Sequence, residues 1–146
     1  MAPLVIWNWK ALEQPTRYGG AAVYAVRLLN RGAVVSIPRL LGEDTEGLLT
    51  IGMTKNFERR RCQFIRGCTK GRGHSAGNLV FVLGALEAFR SAFPARTYEI
   101  SFLAVPDEKE ARRLETRVTK EYLARFGEGP PLTSVIPDRY AHLLRG

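Results

Sequence analysis

The run Thr50-Ile51-Gly52-Met53-Thr54-Lys55-Asn56-Phe57-Glu58-Arg59-Arg60 reads as a strand that turns into a helix within a few residues. Leu48 to Gly52 is a short apolar run ending on glycine, the pattern of a core strand. Thr54 or Asn56 then offers the side-chain oxygen that caps a helix start. The helix is expected to run to about Arg66, with Gly67 as its stop.

Upstream, Gly19-Gly20 precedes Ala21 to Leu29, a stretch rich in strand formers. Asn30-Arg31-Gly32 reads as a turn, Ala33 to Ile37 as a short strand, and Pro38 to Gly47 as a polar loop. Downstream, Cys68 to Asn78 carries Gly71, Gly73 and Gly77 and is expected to be a loop. Leu79 to Phe93 is apolar almost all round, which predicts one buried helix stopped by Pro94. Thr97 to Val105 alternates with period two, as a strand does. Asp107 with Glu110 is close to a capping box that opens a helix to Phe126, stopped by Gly127. This order predicts an α/β (α+β) fold, a small mixed or antiparallel central sheet flanked by helices. One domain over residues 1–146 is expected, with a core at about 21–134 and a tail at 135–146 that holds a final turn around Tyr140.

The start of the chain lacks the pattern of a signal peptide, and the apolar stretch Leu79 to Leu86 is too short to span a bilayer. Cys62 and Cys68 are the only cysteines, too few for a disulfide framework, which points to a reducing cytoplasm; with two histidines at odd spacings they do not outline a zinc site. The net charge is +8, and Lys55 to Arg72 alone contributes +6 through Lys55, Arg59, Arg60, Arg61, Arg66, Lys70 and Arg72 against Glu58. Cationic charge so concentrated suits a polyanion, because neutralising phosphates releases condensed counterions. No long basic amphipathic helix accompanies it, so a membrane surface fits less well.

Several residues stand out. At about 100° per residue, Ala111, Leu114, Val118, Tyr122 and Phe126 form an apolar stripe, and Glu115 falls inside it. A carboxylate there is costly unless it pairs with an arginine or holds a hard cation. Phe57 and Phe64 mark the inner line of the first helix, so Arg60 or Arg61 borders the core, either snorkelling or functional. Tyr24 sits mid-strand, where packing is the ordinary role. His74 is a loop histidine that could move protons near neutral pH. Cys62 and His142 show no partner that suggests chemistry.

Together these residues resemble the GIY-YIG nuclease family. Ala22-Val23-Tyr24 stands where the family's first signature lies and Thr50-Ile51-Gly52 at its second. Thr54 to Arg60 is similar to the run that follows it, and Leu114-Glu115 with Tyr122 is similar to the glutamate helix. The second signature tyrosine is Thr50 here, the expected asparagine is replaced by Thr133, and the insert between the signatures is longer than in compact members.

The resemblance implies hydrolysis of a phosphodiester, in DNA ahead of RNA, with one Mg²⁺ or Mn²⁺ held by Glu115. It implies that Arg60 clamps the scissile phosphate and that Tyr24, helped by the metal or by His74, deprotonates or orients water, with Thr50 offering a smaller hydroxyl. Lys55, Arg59, Arg61, Arg66, Lys70 and Arg72 would then position nucleic acid, and a homodimer would serve two-strand cleavage. The alternative is a module that keeps the fold and the basic face but has lost efficient cleavage.

Overall fold

Two apolar layers lie on opposite faces of one antiparallel sheet, and alternation along a single strand assigns them. The computed structural model describes residues 5–133. In chain order the elements are β1 (Lys10–Ala11), β2 (Ala22–Asn30), β3 (Ala33–Val34), β4 (Ile37–Arg39), β5 (Gly42–Asp44), β6 (Leu48–Thr54), α1 (Phe57–Lys70), α2 (Ser75–Gly84), α3 (Glu87–Ala92), β7 (Arg96–Ala104) and α4 (Glu108–Phe126). β2 is central: β7 pairs along its whole length, β6 pairs with its first half on the other side, and β3 folds back on its end. β1 extends the sheet beyond β7, and every pairing is antiparallel. The expected α+β class is the one observed.

Ala22, Tyr24, Val26 and Leu28 point to one face and join Phe57, Phe64, Ala76, Val80 and Ile100 beneath α1 and α2. Val23 and Ala25 point to the other and join Leu48, Ile51, Val118, Tyr122 and Phe126 beneath α4. A strand covered on both faces reads as a continuous apolar run, which is how Ala21 to Leu29 reads. Burial of side chains the size of Val23 and Val26, both fully enclosed, stabilises the fold by about 1.5–3 kcal/mol each.

Of the two expected caps of α1, Asn56 does the capping: its side chain accepts from the Arg59 N–H at 3.1 Å. Thr54 holds that turn by accepting from the Asn56 N–H. The helix passes Gly67 and ends at Lys70, with Gly71 in the left-handed conformation at φ 69°. The expected loop from Cys68 to Asn78 therefore shrinks to Gly71–His74. Gly67 is a contact rather than a stop. A Cβ on it would lie 2.9 Å from the Gly77 Cα, and one on Gly77 would lie 2.6 Å from the Phe64 carbonyl oxygen. The two helices cross through this glycine pair. Gly77→Ala is accordingly expected to cost about 1–3 kcal/mol through overpacking against backbone, read as a lower denaturation midpoint; an unchanged midpoint would reject this crossing.

The single buried helix expected over Leu79 to Phe93 is instead α2 and α3, broken at Ala85-Leu86. Only Ala76, Gly77 and Val80 of α2 are buried, no residue of α3 is, and Phe81, Val82 and Leu86 are exposed. Among the described residues α2 meets α1 on one face alone, so its all-round apolar surface is not matched by all-round cover.

The polar loop expected over Pro38 to Gly47 contains the β4–β5 hairpin. Its end is held by Asp44, which is buried and accepts from the N–H groups of Gly47 and Leu48 and from the Tyr122 hydroxyl at 2.8 Å. The tail from 134 onward, with the turn expected around Tyr140 and with His142, lies outside the described residues. Among the described residues no helix is long and apolar enough to cross a membrane.

Candidate active site

Among the described residues β6 pairs as a strand only with β2, and at its outer edge the layer under α1 and α2 meets the layer under α4. A hollow of about 300 Å³ opens there, and Tyr24, Thr50, Arg60, His74, Glu115 and Thr133 all line it. The sequence places these residues on β2, β6, α1, the start of α2, α4 and the segment after α4. The fold brings all six together.

Glycine at 52 makes the meeting possible. Gly52 is the register partner of Tyr24, and a Cβ on it would lie 2.5 Å from the Tyr24 Cζ and Oη. With only hydrogen there, the phenol lies across β6 and reaches the hollow from the far side. From the α4 side comes Glu115, 8% exposed and in line with the buried Ala111, Val118 and Tyr122. The chain after α4 returns along β6, where the Leu132 N–H donates to the Leu49 carbonyl at 2.8 Å. That bond sets the Thr133 hydroxyl 3.5 Å from the Thr50 hydroxyl.

His74 takes an unexpected part. It caps α2: its Nδ1 accepts from the Gly77 N–H at 3.2 Å, and its Nε2 lies 2.8 Å from the Tyr24 hydroxyl. A ring nitrogen that accepts an amide hydrogen carries no proton, so the neutral ring is protonated at Nε2 and donates to Tyr24. His74 therefore orients the phenol and does not take its proton, which corrects the expected relay. Burial, aided by the nearby Arg60 charge, pushes the imidazole down to about 4, below the neutral range expected for a proton mover. Burial also raises the Tyr24 pKa, opposed by the charge and hydrogen bond of Arg60. The phenol stays protonated at neutral pH, with its oxygen held by donors and its hydrogen available to an acceptor in the hollow.

The shift of His74 has a consequence for stability. The unfolded ring binds its proton near 6.5, the folded one only near 4. Between those values the unfolded chain holds more protons, so stability falls as the pH drops through that window. The expected loss from pH 7 to 4.5 is roughly 2–3 kcal/mol by urea titration. His74→Asn keeps a capping oxygen and should remove most of that slope; an equal slope in the variant would show that another group carries it. Glu58 acts lower: its bond to Arg61 holds it down to about 2 from 4.5, so its contribution is complete above 4.5 and lost as pH falls through about 2.

Arg60 is half-buried beside Tyr24, with one guanidinium nitrogen donating to Gln63 Oε1 at 3.1 Å. Its Nε is buried and has no acceptor among the described residues. A buried donor left unmade is costly, and an anion in the hollow would supply the acceptor. Arg60 also lines a second hollow of about 330 Å³ with Lys55 and Arg59, so one side chain borders both spaces. Arg66, Lys70 and Arg72 are exposed farther along and line neither.

Arg61 departs from expectation. It is 5% exposed, grips both Glu58 oxygens at 2.7 Å and donates to the Leu12 carbonyl at 2.8 Å. It clips the N-terminal segment onto α1 and is not available to phosphate. Burial pushes the Cys68 thiol up to about 12, which makes it inert as a nucleophile.

Among the described residues no group of three or more acidic, histidine or cysteine side chains gathers to hold a metal. Among the described residues Glu115 is the one carboxylate lining the hollow. That donor set does not fit zinc. It fits Mg²⁺ or Mn²⁺, which take one or two carboxylates and fill the remaining positions with water and substrate phosphate. Gln63 carried no signal in the sequence beyond its place near Arg60 on the helix, and Gly52, seen as a strand end and as part of the second signature, gave no sign that it makes room for Tyr24. Comparison with family models, with curated proteins and with solved structures finds no match for this chain.

Proposed function

We propose that this chain is a divalent-metal-dependent endonuclease that hydrolyses phosphodiester bonds in nucleic acid, DNA ahead of RNA. The observation that carries the reading is the convergence of Tyr24, Thr50, Arg60, His74, Glu115 and Thr133 on one hollow at the β6 edge. In this reading Glu115 would hold Mg²⁺ or Mn²⁺, which when bound stabilises negative charge on the reacting phosphate. Arg60 binds the scissile phosphate through its fixed fork of donors. Tyr24, its oxygen held by His74, stays protonated, donates a hydrogen bond to a phosphate oxygen beside Arg60 and sets the angle at which water approaches phosphorus. The water forms the new P–O bond and gives up a proton to bulk solvent as the bond to the leaving oxygen breaks, and that oxygen takes a proton from solvent. Thr50 and Thr133 line the wall with hydroxyls. Lys55 and Arg59 carry the neighbouring backbone. Two-strand cutting would call on a second copy, and the free thiols Cys62 and Cys68 suit a reducing cytoplasm.

One observation favours a second reading, a nucleic-acid-binding module with little turnover: Thr50 stands where the resemblance calls for a second phenol. Incubating plasmid and single-stranded DNA with Mg²⁺, Mn²⁺ or EDTA separates the two. Cutting that requires metal and disappears in Glu115→Ala supports the enzyme. Salt-sensitive binding without cutting selects the binding module, and no binding at modest salt rejects both.

A further inference from the structure

The outward side of α4 carries a second, separate concentration of charge. A groove of about 570 Å³ runs along it, lined among the described residues by Lys109, Arg112, Arg113, Thr116, Arg117 and Lys120. All five cations are exposed. At about 100° per residue they occupy an arc from roughly 60° to 200° around the helix, measured from Glu115. The acidic residues of the helix, Glu108, Glu110, Glu115 and Glu121, all fall outside that arc. Arg112 and Arg113 touch Glu108 and Glu110 at 3.3 and 3.0 Å, but with both partners in solvent these pairs are weak and readily exchange for phosphate. The charges are therefore sorted by face, although the helix as a whole mixes signs.

We infer that this face of α4 is a second nucleic-acid-binding surface that grips the phosphate backbone flanking the cleft. The inference rests on the nucleic-acid reading above. From Lys109 to Lys120 the helix rises about 16 Å, a length over which a duplex presents on the order of ten phosphate charges. Arg112 lies one turn before Glu115 and on its shoulder, so backbone leaving the hollow past Glu115 meets the groove without crossing an acidic side chain. A lipid surface is the poorer partner. A helix that lies on a membrane inserts an apolar face, and the apolar face of α4 is committed to Val23, Ala25 and Ile51 of the sheet.

The test is the salt dependence of binding, measured by anisotropy on a labelled duplex of about 30 base pairs in EDTA, so that nothing is cut. Arg113→Gln/Arg117→Gln/Lys120→Gln changes only exposed residues and keeps good helix formers. The slope of log affinity against log salt is expected to shrink by about 2–3, with binding at least about tenfold weaker at low salt, while the lysine-for-arginine variant Arg113→Lys/Arg117→Lys keeps the wild-type slope. An unchanged slope in the triple variant overturns the inference and leaves the nuclease reading standing. Loss of binding to phosphatidylserine vesicles with duplex binding intact overturns it in favour of a membrane surface. A wild-type protein that does not bind the duplex overturns both.

Discussion

Glu115→Gln is expected to lower the rate of phosphodiester cleavage by about 10³-fold or more, with duplex affinity and fold retained. Glutamine matches glutamate in shape and volume, which matters because position 115 is 8% exposed and faces the packed line of Ala111, Val118 and Tyr122. What it removes is the negative charge, and a neutral amide is a far poorer ligand for a hard cation. Several kcal/mol of transition-state charge stabilisation would go with the metal, which sets the thousandfold scale. A buried amide also costs less desolvation than a buried carboxylate, so the melting temperature should stay within a few degrees of wild type. Single-turnover cleavage over a range of Mn²⁺, duplex binding in EDTA and thermal melting together check each part. Cleavage within tenfold of wild type would remove Glu115 from the metal. A collapse of the melting temperature would assign it a structural role instead.

Phe64→Ala is expected to cost about 3–5 kcal/mol, the largest stability loss of any single truncation proposed for this chain. Its ring is fully enclosed between α1, α2 and the sheet. It also packs edge-on against the His74 imidazole, with ring centres 4.9 Å apart. Truncation leaves a cavity at the point where α2 is held against α1 and where His74 is held against Tyr24. Urea unfolding should show the loss in midpoint, and Phe64→Leu, which keeps most of the volume, should lose about 1–2 kcal/mol. Under conditions where both variants stay folded, the alanine variant should also lose the protection of His74 from protonation, moving its pKa back up towards 6.5. A loss below 1 kcal/mol would mean that this region is less tightly packed than its burial indicates.

The elements with strong local signals were legible from the residues alone. β2 and β7 announced themselves by composition and by alternation, and α4 by its capping aspartate, its stripe and its terminal glycine. These signals are local because capping and periodicity depend on neighbours within one or two turns. The failures share a cause. Gly67 reads as a helix stop, yet it is a crossing point whose partner, Gly77, is known only once α2 is in place. Leu79 to Phe93 reads as buried because it is apolar, yet what it touches is set by where α1 runs. The β4–β5 hairpin was hidden because its anchor is the contact of Asp44 with Tyr122, 78 residues away.

The site divides in the same way. Glu115 could be singled out from one helix, since a carboxylate within an apolar stripe is anomalous whatever lies opposite. By helix spacing Arg60 and Arg61 could not be told apart, because both flank the line of Phe57 and Phe64; only the resemblance singled out Arg60. Their fates differ through distant partners, the Leu12 carbonyl for Arg61 and the Tyr24 side of the hollow for Arg60. Nor could the sequence say that His74 donates to Tyr24, since that follows from the Gly77 N–H occupying its other nitrogen.

By itself, then, the chain's sequence determined the order of its main strands and helices, the basic bias of the segment from Lys55 to Arg72, and the anomaly of Glu115, all of which are encoded in spacing and charge. Tertiary structure alone decided which cations are spent on holding the fold, which nitrogen of the His74 ring carries the hydrogen, and that Tyr24, Arg60, His74 and Glu115 meet at one hollow. Those properties belong to contacts between residues far apart in sequence, and burial and hydrogen-bond partnership exist only once such contacts are made.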